Sequence, residues 1–101
     1  MNRTVYRFTF SSRADLAEAE ATLHLALLAA EGLFGRARVR LDVRYDVDER
    51  RRLIVVDGAT EIGAVVTRMF TGLLLREFGD DAFRTHRAER AREDRTRQGV
   101  A

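Results

Sequence analysis

Few side chains in this sequence are equipped to carry chemistry. His24 and His86 are the only imidazoles, and there is no cysteine. A three-histidine catalytic metal site within one chain is excluded, as are a thiolate nucleophile and a zinc ribbon. His24 follows Glu20 by four residues and precedes Glu31 by seven, so the three share one edge of a helix. Two carboxylates and one imidazole suit a metal ion. Glu and His four apart on a helix surface also make an ordinary ion pair. The ion pair is the simpler reading, and neither a metal nor any other cofactor is expected. His86 stands among arginines and reads as a solvated side chain. Neither histidine has a Ser, Cys or Asp placed for nucleophilic catalysis.

The carboxylate pairs Asp48-Glu49 and Asp80-Asp81 fall in polar turns, whereas general acid–base work needs a buried carboxyl of raised pKa. Asp57-Gly58-Ala59-Thr60-Glu61-Ile62-Gly63 reads as a strand end, a glycine turn and a helix start. Helix starts attract anions. This one lacks the lysine and spacing of a phosphate loop and carries two acids of its own. Asp57 or Thr60 as a helix cap explains it more simply. Ser12-Arg13 is a better anion site, with a cation beside free amides, although a serine there also reads as a cap. The residue set points to a binding module rather than an enzyme.

Charge narrows the binding chemistry. All 18 basic residues are arginine, against 16 acids, and with no Lys or Cys titrating between pH 7 and 10 the isoelectric point rises to about 9.9. That value overstates the positive field. Residues 1–83 hold 12 Arg against 13 acids, while 84–101 hold six Arg against three. The surplus is confined to the C-terminal end. Arg84, Arg87, Arg90 and Arg92 therefore form a candidate basic tail, suited to an anionic partner. No apolar leader is read at the start. The most apolar stretch, 62–75, is too short to span a bilayer and contains Arg68. No membrane partner and a cytoplasmic setting are the expectations.

The elements that must position these residues follow from periodicity. Residues 3–10 alternate, with Tyr6, Phe8 and Phe10 on one face, as a strand does. Residues 14–32 are rich in Ala, Leu and Glu, strong helix formers. Ser12 and Asp15 mark the start of this helix, and Gly32 and Gly35 its end. Its second half, LHLALLAA, is apolar almost all round. Leu25, Leu28 and Ala29 are thus left over as a candidate oligomer surface. Residues 36–47 alternate Ala, Val, Leu and Tyr with Arg and Asp, which predicts a twelve-residue strand with one wet face. The run 52–56 is apolar enough for a strand covered on both faces. A second helix is expected over 59–78, with a row of small residues at Gly63, Thr67 and Thr71 able to admit a neighbouring helix. Residues 82–87 read as a short last strand.

The order β-α-β-β-α-(β) predicts an α+β, two-layer sandwich of ferredoxin-like topology, with an antiparallel sheet and two helices on one face. Its strand order, 4-1-3-2, puts the first and third strands inside. The domain is expected to span 1–86, with 87–101 a flexible polar tail. Without a fourth strand the first would become an edge, open to pairing in a homodimer. The outer sheet face would present Arg7, Arg38, Arg40 and Arg44 as a candidate anion-binding face, alternatively paired across strands with Asp42 and Asp46. It lacks the aromatics that stack bases, which disfavours sequence-specific nucleic-acid recognition. Three readings follow: a non-enzymatic domain acting by self-association or partner binding, an anion or nucleic-acid-backbone binder, and a ligand-binding or catalytic site assembled between subunits.

Overall fold

The computed structural model describes residues 2–91, with side chains from 4 to 89. The aromatic alternation at the start forms β1 (Asn2–Phe10), and the Ala/Leu/Glu segment forms α1 (Leu16–Phe34). After these come α2 (Arg36–Asp42), β2 (Tyr45–Asp48), β3 (Leu53–Asp57), α3 (Glu61–Phe78) and β4 (Phe83–Ala91). The fold is α+β, with three helices and one antiparallel sheet in the order β2-β3-β1-β4. From the β4 edge this reads 4-1-3-2, with β1 and β3 central, as the patterning required.

The two sheet faces differ because strand side chains alternate. Phe8, Phe10, Ile54 and Val56 join Ala19, Leu23, Ala26 and Ala30 of α1 and Ile62, Val66, Phe70 and Leu74 of α3 in one core. Phe8 meets Phe70 with ring centroids 4.8 Å apart, tilted at 60°. Val5 and Val55 are also buried, but on the opposite face. That accounts for the unbroken apolar run of β3. The buried stripe of α3 runs through Ile62, Val66, Phe70 and Leu74, with Met69 and Leu73 half-buried beside it.

The largest departure from the sequence reading lies in residues 36–47. In place of one long strand, 36–42 form α2 and only 45–48 form β2. Arg, Ala and Leu favour helix, and Val39 is the single β-branched residue of the seven. A seven-residue alternation also contains an i, i+4 pair, Ala37 and Leu41, so period alone could not decide. Helix formation buries Val39 and leaves Ala37 and Leu41 exposed. Gly35 separates the helices at φ +90°, a conformation that a side chain would strain. Only beyond Asp42 does the composition turn to Val43, Tyr45 and Val47, which suit a strand.

Smaller corrections concern ends. The cap of α1 is Asp15, whose carboxylate accepts from the Ala17 and Glu18 amides at 2.9 and 3.4 Å, rather than Ser12. Thr60 caps α3 by accepting from the Gly63 amide at 2.9 Å. The last strand runs to Ala91 and pairs with all of β1, from Phe10↔Phe83 to Asn2↔Ala91. Five residues assigned to the tail therefore belong to the sheet, and β1 is not an edge. Of the candidate basic residues, Arg84 and Arg87 are exposed on β4 and Arg90 also lies in it. Arg92 lies outside the described residues.

Candidate functional site

The arginine face anticipated on the sheet does not exist as drawn. Arg38 and Arg40 belong to α2, Arg44 to the link before β2, and only Arg7 stands on a strand. The register assembles a different group on the face turned away from the helices. Arg7 lies opposite His86, and Thr9, its neighbour on that face, lies opposite Arg84. Across the sheet, Asp46 is paired with Val55 and Asp48 with Leu53. The face grades from acidic at β2 to basic at β4. The proposed cross-strand pairing of arginines with Asp42 and Asp46 is absent. Among the described residues the one ion pair joins Arg51 and Asp48, at 3.9 Å. The described part of this face carries no aromatic side chain, since Tyr6, Phe8 and Phe10 point to the helices.

The other candidate sites turn out to be structural. His24 lies with its Nε2 2.9 Å from the Tyr45 hydroxyl, tying α1 to β2. No group of three metal-ligating residues occurs among the described residues. At the start of α1, a depression of about 540 Å³ is lined by Arg13, Asp15, Glu20, Glu49 and Arg52. It does not suit an anion. The first amides are taken by Asp15, and Arg52 donates to the Phe10, Ser11 and Ala14 carbonyls. At the start of α3, Gly63 is pressed against the Asp57 carbonyl.

The row of small residues on α3 lies toward the sheet, with Gly63 against the Asp57 carbonyl and Thr67 and Thr71 on a groove shared with Tyr6 and Thr85. The Thr67 and Thr71 hydroxyls each donate to the carbonyl four residues earlier, at 2.8 Å. With Tyr6, Arg68, Gly72, Leu75 and Thr85 they line an open groove of about 480 Å³ beside β4.

The feature that packing leaves unexplained is the outer surface of α1. Its inward residues bury completely, yet Leu25 is 58% exposed, Leu28 64% and Leu33 68%, and Leu41 on α2 reaches 75%. Ala17, Ala21, Ala29 and Gly32 of α1 are exposed as well. The sequence singled out Leu25, Leu28 and Ala29, and the structure places all three in water. It missed Leu33, which sits near the helix end, and Leu41, which was read as the buried face of a strand. The anchoring of α1 is polar as well as apolar. The buried Thr22 hydroxyl lies 2.7 Å from Glu77 Oε1 on α3, with the Glu18 carbonyl 3.0 Å away as a second acceptor.

No helix among the described residues is long and apolar enough to cross a membrane. Compared with known protein families and with curated proteins, the sequence matches none.

Proposed function

We propose that this chain is a small non-enzymatic domain that works by association, through the outer face of α1. The observation that carries this reading is the set of exposed leucines on a helix whose opposite side already fills the core. Burying a leucine side chain contributes roughly 1.5–3 kcal/mol, so covering Leu25 and Leu28 together gives a substantial drive to association. The architecture assigned to the domain is a ferredoxin-like two-layer sandwich with α2 inserted after the first helix. Its support is the strand order and the packing of α1 and α3 on one sheet face. Light scattering over a concentration series tests the association. Leu25→Glu and Leu28→Glu are expected to lower the assembled mass, weakening association at least about tenfold, or roughly 1.4 kcal/mol. Melting of the isolated domain should be unchanged. A chain that stays monomeric at high concentration and binds no protein partner overturns the reading.

A second reading, anion binding, is favoured by the arginines that enter no ion pair among the described residues on the sheet face turned away from the helices. Arg7, Arg84 and His86 are exposed neighbours there, and guanidinium groups bind phosphate or carboxylate through paired donors. Binding to a polyanion at low salt, lost in Arg7→Ala/Arg84→Ala and weakening steeply as salt rises, is its expected signature.

A further inference from the structure

The outer stripe of α1 consists of Ala17, Ala21, Leu25, Leu28 and Gly32, all exposed and none charged. Successive members stand three or four residues apart, so they fall on one line along the helix. The last four, from Ala21 to Gly32, read the same in both directions: small, large, large, small, at spacings of four, three and four. We propose that this stripe pairs with the same stripe of a second copy, antiparallel, across a two-fold axis between Leu25 and Leu28. The inference rests on the association reading above and names its partner.

In that arrangement Leu25 meets the partner's Leu28, and Ala21 meets the partner's Gly32. The small residues let the helix backbones approach while the leucines fill the centre, and the same patch serves both copies as two-fold symmetry requires.

Size alone would permit a parallel pair as well; charge selects the antiparallel one. The charged residues of α1 are Glu18, Glu20 and Glu31, with no cation among them. Immediately beyond Gly35 follow Arg36, Arg38 and Arg40, all exposed, and none of them enters an ion pair among the described residues. Antiparallel pairing carries Glu18, at one end of the stripe, to the partner's Arg36 at the other. It also sets the two helix dipoles head to tail, whereas a parallel pair would align them and place Glu18 against Glu18.

Because the chain has no cysteine, single substitutions report the register. Ala21→Cys and Gly32→Cys both fall on the exposed stripe, and a side chain at Gly32 meets nothing within 4 Å. Residues 21 and 32 lie about 16 Å apart along the axis at about 1.5 Å per residue. A mixture of the A21C and G32C full-length chains is therefore expected to cross-link between copies with a short bismaleimide, and each variant alone is not. Cross-linking of A21C to itself as efficiently as to G32C overturns the antiparallel pairing. So does a dimer in light scattering that shows no A21C–G32C product, an outcome that leaves the association reading standing. A monomer at every concentration overturns the inference, and if Leu25→Glu also changes no interaction, the association reading falls with it. Charge exchange gives an independent measure. Glu18→Arg or Arg36→Glu alone should raise the dissociation constant several-fold, and the two together should restore it. A double variant weaker than either single one contradicts the pairing.

Discussion

Arg52 does what two glycines do elsewhere in the chain: it turns the backbone through a positive φ, here 54°. Its side chain compensates for that strain. The guanidinium gathers the carbonyls of Phe10, Ser11 and Ala14, so the turn before β3 is tied to the end of β1 and the start of α1. Hydrogen bonds from a charged donor are the stronger kind, and stranding their acceptors adds a desolvation cost. Arg52→Ala is expected to lose about 2 kcal/mol or more in urea unfolding. Arg52→Gly loses the same bonds but relieves the left-handed backbone, and should be less damaging by about 1 kcal/mol. Equal losses would show that the carbonyl contacts, not the backbone, set the whole effect. None of this was legible from the sequence, where Arg52 is one of three consecutive arginines. Only the turn geometry distinguishes it from Arg50 and Arg51.

Glycines at two points of α3 make opposite demands. At Gly72 an added methyl group meets nothing within 4 Å, whereas at Gly63 it collides with the Asp57 carbonyl. Gly72→Ala should therefore stabilise the protein by about 0.8 kcal/mol, the ordinary helix preference. Gly63→Ala should destabilise it by about 2 kcal/mol as α3 is pushed off β3. Denaturation midpoints of the two variants check the signs, and a gain at Gly63 would contradict the tight junction.

The same scale shows where the sequence was readable. β3 betrayed its central place by being apolar on both faces, and α1 betrayed its surplus face at Leu25 and Leu28. Residues 36–42 misled because Arg-Ala-Arg-Val-Arg-Leu alternates perfectly while consisting almost wholly of helix formers. That one ambiguity displaced Arg38 and Arg40, and with them half of the expected anion face. The actual cluster of Arg7, Arg84 and His86 depends on cross-strand register, which no local pattern encodes.

Across the whole molecule, the sheet is closed by its most distant partners in sequence, β1 and β4. Phe83 of β4 also completes the aromatic cluster, with ring centroids 6.4 Å from Phe8 and 6.0 Å from Phe10. A chain ending at residue 82 should keep its helices but bare the β1 edge and part of the core. It is expected to aggregate in sedimentation and to lose protection of the β1 amides in hydrogen exchange. A 1–82 chain that stays folded and does not aggregate would show that β4 is dispensable.

The pairing of β1 with β4 also orders events in time. During synthesis β1 emerges first and can dock against β3 once residue 57 is available, but its other edge has no native partner until residue 83 and beyond appear. Helix-rich stretches can form at once, whereas the sheet must wait for almost the whole chain. For that interval the nascent protein carries an open strand rich in aromatics, Tyr6, Phe8 and Phe10. The charged Arg7 in its middle then acts as its guard, discouraging a wrong strand from arriving first.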